Sequence, residues 1–279
     1  CLVLISPWTM ANTIFEGYFK LFAGETHAGF FVLRYSMNPK TQKFEALSFF
    51  RTIKALGDMT ESLKAYSNLK LAPDSYQYTV TKTGESLIID AHFKAGRMTG
   101  EIKANNGSRK LNEVISPKVI LSSFLPLLML KSPTGIKIKT NYPYSGLAEE
   151  KAIVAEGLAT VQSQAKYLGE DAYLVVNRFS DIKYISYLNG AGEVLGTDSA
   201  EQGIRTELVA RPEIATTGIP FNPNHLKLIF GDIPQGQINS LAKRNLAPAD
   251  TVSAKKTGIA PSQGIEVKAK PAGGTKDDQ

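Results

Sequence analysis

The feature that most constrains this fold is an apolar–polar alternation with a period of two, which runs from residue 14 to about residue 104. Apolar and polar side chains alternate along residues 76–81, and again along residues 87–93. Such alternation is typical of half-buried antiparallel strands. Residues 43–51 also have the composition of a strand, but they are apolar on both faces in the middle of the segment.

Turn-forming residues separate the alternating segments and predict a meander of long strands. Four turns contain the Gly or Asn that a positive φ requires: 23–29, 82–85, 94–97 and 105–108. The strands predicted in the first half are 14–22, 28–36, 43–53, 58–67, 75–83, 86–94, 97–104 and 108–115. Those predicted in the second half are 135–140, 150–157, 158–168, 171–179, 181–188, 193–197 and 204–210. The expected fold is mainly β: a large curved antiparallel sheet, or a two-layer sandwich or half-barrel.

An apolar segment between the two β regions, residues 117–130, predicts one helix packed on the sheet. Ser116 and Pro117 match a helix start, and Pro126 is expected to kink or split the helix. A helix that is apolar nearly all round must be covered on both sides. It is therefore either a core element or a movable lid over an apolar ligand. The residues expected at a ligand or lid surface are Leu121, Phe124, Leu125 and Leu128.

The first eleven residues predict export. Residues 1–8 are an apolar run, and Thr9 and Ala11 are small residues at the −3 and −1 positions of a cleavage site. Residues 1–11 are therefore interpreted as the remnant of a signal peptide. The alternative is a lipoprotein that is acylated on Cys1. Both interpretations place the mature protein in the periplasm or otherwise outside the cytoplasm.

The remaining chain divides into a β domain, residues 12–231, and a C-terminal region, residues 232–279. The C-terminal region is expected to form a short helix and then a disordered tail, because almost no large apolar residue follows Ala247. No stretch after residue 11 reaches the roughly 20 apolar residues that a membrane-spanning helix needs. The net charge of +6 is spread along the chain, so nucleic acid is not an expected partner.

The chemistry-bearing residues form no catalytic or metal-binding pattern. Cys1 is the one cysteine, which excludes a disulfide framework and an internal cysteine nucleophile. Asp90 and His92 share a strand face, but an exposed polar face produces such a pair by default. The chain contains neither a G-x-S-x-G elbow nor a glycine-rich phosphate loop before a helix. We therefore expect a non-enzymatic protein with no catalytic residue, cofactor or metal.

Three segments resemble parts of a group of bacterial exported β domains of uncharacterised function, which occur alone or upstream of transglutaminase-like domains. They are a strand–turn–strand opening at 17–30, a strand start at 71–76 and a closing hairpin at 187–195. Asn189 stands where the group often has Asp, and no cysteine follows Cys1 to supply a transglutaminase nucleophile. The resemblance implies the β module without an enzyme, and it carries over no catalytic residue.

Two functional hypotheses follow. The first is a non-enzymatic periplasmic binding or scaffold module for an unidentified partner protein or cell-envelope component, such as a cell-wall polymer. The second is a carrier of lipid or another apolar ligand, in which the sheet forms a half-barrel cavity and the helix at 117–130 is its lid.

Overall fold

The structure is a computed structural model that describes residues 11–245. The predicted signal-peptide remnant, the acylation of Cys1 and the tail beyond Ala247 lie outside the described residues, apart from Ala11. Those three interpretations therefore stay predictions.

The described residues form fifteen strands and four α-helices. The strands of the first half are β1 (Asn12–Ala23), β2 (Thr26–Asn38), β3 (Lys43–Thr52), β4 (Thr60–Asn68), β5 (Pro73–Lys82), β6 (Glu85–Lys94), β7 (Arg97–Ala104) and β8 (Gly107–Val114). The strands of the second half are β9 (Val119–Leu121), β10 (Thr140–Ala148), β11 (Ile153–Tyr167), β12 (Glu170–Phe179), β13 (Ile182–Leu188), β14 (Val194–Ser199) and β15 (Ile204–Val209). The helices are α1 (Leu125–Lys131), α2 (Pro212–Thr216), α3 (Pro223–Phe230) and α4 (Ser240–Asn245).

These fifteen strands belong to one sheet, in the order β8-β7-β6-β5-β4-β3-β2-β1-β15-β14-β13-β12-β11-β10-β9. Neighbouring strands pair antiparallel, except that β9 runs parallel to β10. The sheet is thus two meanders joined where β1 pairs with β15, with Tyr18 opposite Val209. The prediction of a mainly β protein built on a large antiparallel sheet is confirmed.

The sheet curls so that its two edges approach each other. β8 lies at one edge and β9 at the other, yet only residues 115–118 connect them. Each residue spans at most about 3.6 Å, so the end of β8 lies close to the start of β9. β9 also contacts β5, and all three of its residues are buried although it is an edge strand. The curled sheet therefore encloses a core on its inner face.

Strands β1 to β3 are covered on both faces. The inner face carries Phe19 and Tyr35, which belong to the main core. The outer face carries Phe30 and Phe49, which pack against α2 and α3 in a second cluster that includes Phe230. This arrangement explains why residues 43–51 are apolar on both faces of one strand.

The prediction of a helix at 117–130 is wrong in its first half. Residues 119–121 form β9, residues 122–124 form a 3₁₀ turn, and α1 begins only at Leu125. Residues 119–121 obtain backbone partners from β10, so they need no helical hydrogen bonds. Pro126 lies in the first turn of α1, where its missing N–H is not required. Pro126 is therefore compatible with the first turn of α1 and lies too close to its start to kink it.

Other differences lie in the second half of the chain. The strand predicted at 135–140 is absent from the described structure, which has β10 at Thr140–Ala148 instead. The strands predicted at 150–157 and 158–168 are one strand, β11. Helices α2 and α3 were not predicted at all. Within residues 11–245, no helix has the length and apolar character needed to cross a membrane.

Candidate functional site

A cavity lies between the inner face of the sheet and residues 122–131, which comprise the 3₁₀ turn and α1 and which we call the covering segment. Its volume is about 380 Å³. Small-molecule pockets commonly measure about 300–1,000 Å³. The cavity is also more than twice the roughly 150 Å³ of an apolar cavity that holds benzene. We call this space the inner cavity.

The wall of the inner cavity is mainly apolar. The covering segment contributes Leu125, Pro126 and Met129. The sheet contributes apolar side chains from both meanders, among them Phe19, Leu21, Phe31, Leu33, Leu188 and Ile204. Of the described residues that line the cavity, none carries a charge. The wall therefore suits a neutral, largely apolar molecule.

The period-two pattern of β1 and β2 explains why these side chains point inward together. Phe19 and Leu21 are two residues apart on β1, so they share a face. Gly17 lies on the same face, and a Cβ atom there would sit 2.6 Å from Leu208 Cδ1 and 2.7 Å from Phe15 Cζ. Because Gly17 has no side chain, the core side chains of Leu208 and Phe15 can occupy that space.

A group of polar side chains interrupts the apolar wall on β12 and β13. Asn177 is 1% exposed, and its Nδ2 donates to the carbonyl oxygen of Val175 at 3.2 Å and to Ser186 Oγ at 3.0 Å. Tyr184, directly opposite Asn177 in the sheet, also lines the cavity. Burial and, to a smaller degree, the nearby Glu149 carboxylate raise the pKa of Tyr184 to about 12. Tyr184 is therefore a neutral phenol at physiological pH.

Hydrogen bonds hold the first residues of the covering segment to opposite walls. The Tyr35 hydroxyl of β2 donates to the carbonyl oxygen of Ser123 at 2.6 Å. Glu149, just after β10, accepts from Ser122 Oγ at 2.5 Å and from the Ser123 backbone N–H at 3.1 Å. Burial raises the pKa of Glu149, and these two hydrogen bonds oppose that rise. The covering segment is therefore anchored at residues 122 and 123.

Three of the four residues predicted for a ligand or lid surface belong to the main core, but only Leu125 lines the inner cavity. Leu121 and Phe124 are fully buried beside it, and Leu128 packs against the core while partly buried. Sequence reasoning missed Pro126, Met129 and the entire sheet wall. The alternation identifies which side chains share a face, but it does not reveal which part of that face the covering segment overlies.

The described residues show no convergence of metal ligands: within 11–245, no group of three His, Cys, Asp or Glu side chains is placed to hold a metal ion. Asp90 and His92 are 3.3 Å apart on an exposed strand face, with more than half of each side chain accessible to solvent.

The fold and the cavity define a mainly β protein with an apolar interior site. No protein family was found whose sequence profile matches the chain, and no curated protein sequence matches it significantly. Among solved structures, the chain is similar to a crystal structure described as a beta-barrel-like protein of domain of unknown function DUF1849 from Brucella abortus. The identity is 13%, the TM-score is 0.45, and the alignment covers 70% of this chain and 94% of that one. A likeness at this level assigns neither a family nor a function.

Proposed function

We propose that this protein is a non-enzymatic binding protein of the cell envelope, and that it carries an apolar molecule in the inner cavity. The observation that supports the proposal is the cavity itself: about 380 Å³ between the sheet and the covering segment, with a mainly apolar and uncharged wall. Its placement in the envelope rests on the export pattern of residues 1–11. The proposal favours the carrier hypothesis over the scaffold hypothesis, which stays a prediction.

Burial of hydrocarbon supplies the binding energy in this proposal. Each methylene group removed from water contributes about 0.8 kcal/mol. A short alkyl chain would therefore gain several kcal/mol before the cost of immobilising it. Most of the exposed surface of the cavity wall is apolar, so apolar contact would dominate the affinity.

Movement of α1 is the simplest route of exchange in this proposal. The hydrogen bonds that anchor the covering segment lie at Ser122 and Ser123, before α1 begins. Within α1, Leu125 and Met129 face the cavity and hold the helix by apolar contact. Leu130 lies against the turn at Gly192. A ligand would enter when α1 tilts away from this turn while residues 122 and 123 stay in place.

A matched pair of substitutions tests the proposal. Val194 lines the inner cavity, so Val194→Phe should fill part of it. Val114 on the edge strand β8 is 76% exposed, so Val114→Phe adds the same side chain far from any enclosed space. Binding of the apolar fluorophore N-phenyl-naphthylamine should weaken at least tenfold in Val194→Phe and remain unchanged in Val114→Phe.

Two measurements complete the test. Circular dichroism must show that Val194→Phe is folded, and native mass spectrometry of the wild-type protein purified from its host should reveal a bound apolar molecule. A folded Val194→Phe variant with wild-type fluorophore affinity would refute the cavity as the binding site. A co-purifying protein in place of a small molecule would instead favour the scaffold hypothesis.

A further inference from the structure

We propose that the ligand of the inner cavity carries a hydroxyl group, which donates a hydrogen bond to the side-chain oxygen of Asn177. This inference rests on the proposed function and specifies its ligand class: a neutral apolar molecule with a hydroxylated end, such as a fatty alcohol or a monoacylglycerol. The inference is based on a buried hydrogen-bond acceptor that has no donor partner. Asn177 lines the cavity and is 1% exposed, and within the described residues its Oδ1 atom accepts no hydrogen bond.

The orientation of the Asn177 amide follows from its neighbours. The carbonyl oxygen of Val175 can only accept a hydrogen bond, so the Asn177 atom 3.2 Å from it must be the nitrogen. The oxygen is therefore the atom left without a donor. Buried polar atoms are nearly always paired, so an exception in a side chain that lines a cavity points to a group that the ligand supplies.

Ser186 complements this acceptor. Its Oγ accepts from Asn177 Nδ2 at 3.0 Å, and that bond leaves the Ser186 hydroxyl proton free to donate elsewhere. Asn177 and Ser186 together therefore offer one acceptor and one donor at the cavity wall. A ligand hydroxyl, which both donates and accepts, satisfies both atoms.

The surroundings disfavour an ionised carboxylate. A carboxylate can only accept, so it would leave Asn177 Oδ1 unpaired. No described residue of the lining carries a positive charge that would stabilise the anion. Burying an unpaired charge is far more costly than burying a hydroxyl. The site should therefore prefer a fatty alcohol over the ionised fatty acid of the same chain length.

Two ligands that differ by one hydrogen-bond donor test the inference on the full chain. Decanol donates from its hydroxyl, whereas its isomer nonyl methyl ether has the same number of carbon atoms and no donor. In displacement of N-phenyl-naphthylamine, decanol should bind the wild-type protein about tenfold more tightly than the ether, which is the effect of one buried hydrogen bond. Asn177→Leu should abolish this preference and still bind the fluorophore. Asn112→Leu, on the edge strand β8, is the control and should keep the preference.

Ser186→Ala is a second variant for the case in which Asn177→Leu fails to fold. It removes the hydroxyl group that holds the Asn177 amide, so it should reduce the preference for decanol over the ether while the variant still binds the fluorophore. Equal binding of decanol and the ether by the wild-type protein would overturn the inference, because a water molecule would then satisfy Asn177, but the proposed function would stand. Absence of fluorophore binding by the wild-type protein would overturn both.

Discussion

Replacement of Arg34 by methionine should destabilise the protein by about 3 kcal/mol, because it leaves a buried carboxylate without its cation. Arg34 of β2 and Glu16 of β1 form an ion pair of 2.6 Å whose side chains are only 10% and 7% exposed. Arg34 also donates to the carbonyl oxygen of Phe230 at 2.9 Å and to Asp232 at 2.7 Å. The substitution therefore breaks contacts between the sheet and the end of α3 and the residues that follow it.

The magnitude follows from what remains around Glu16. Breaking a buried ion pair commonly costs about 3–5 kcal/mol. In Arg34→Met, Glu16 would still accept from the backbone N–H groups of Gln235 at 2.6 Å and Gly236 at 2.8 Å. These two bonds partly compensate the carboxylate, so the expected loss lies at the lower end of that range. By contrast, the Lys43–Asp74 pair is 41% and 38% exposed, so Lys43→Met should cost at most about 1 kcal/mol.

Urea unfolding of Arg34→Met, Glu16→Gln and the double variant provides the assay. The double variant removes both charges, so its loss should be clearly smaller than the sum of the two single losses. The reasoning would be refuted by additive losses, within about 0.5 kcal/mol. It would also be refuted if Arg34→Met cost no more than Lys43→Met.

Two further predictions concern the covering segment. Phe124 is fully buried, so Phe124→Ala should lower the free energy of unfolding, measured in urea, by about 3–5 kcal/mol. Leu128 is only partly buried, so Leu128→Ala should lower it by less. Equal and small decreases in the two variants would show that the segment is not part of the core. Burial raises the pKa of Glu149, so the native state holds that proton more tightly than the unfolded state does. The free energy of unfolding should therefore fall as the pH rises from the ordinary glutamate pKa through the raised one, and Glu149→Gln should reduce this slope. Burial also raises the pKa of Glu61, so part of the slope would remain in Glu149→Gln. An unchanged slope in that variant would contradict the role of Glu149.

The first meander was predictable because its hairpins are local. β7 spans the predicted residues 97–104, and β2 differs from its prediction by two residues at each end. The side-chain alternation and the turn residues lie within the strands themselves. β10 was missed because Pro143 is unusual inside a strand. β9 forms backbone hydrogen bonds only with residues 145–147 of β10, so Pro143 lies outside the part of β10 that pairs with β9.

Proline shows why the helices were harder to predict. Pro117 was taken as the first residue of a helix and is not helical, whereas Pro212 and Pro223 begin α2 and α3. Each of these prolines suits the first turn of a helix, and the capping residues Ser116 and Asn222 precede two of them. The outcome depends on the available partners: residues 119–121 find a strand in β10, while α2 and α3 cover the outer face of β1 to β3. These partners lie far away in sequence.

The candidate site was predictable only in outline. An apolar segment covering a concave sheet face was expected, and Leu125 was named for it. The inner cavity depends on how tightly the sheet curls, which brings Phe19 of the first meander towards Leu188 of the second. The unpaired oxygen of Asn177 depends on one neighbouring carbonyl group. Neither the curl of the sheet nor the unpaired oxygen can be inferred from the pattern of residues in the sequence.

The pairing of β1 with β15 has a consequence for biosynthesis. Along the chain, β1 is the first and β15 the last of the fifteen described strands, and their pairing joins the two meanders. As the chain emerges from its N-terminal end, β1 to β8 can form from local hairpins. One edge of β1 then stays unpaired until almost the whole domain has emerged. An open strand edge is a template for pairing with other chains. The slowest and most aggregation-prone step of folding should therefore be the arrival of β15, and a chaperone that covers β1 would protect the chain until then.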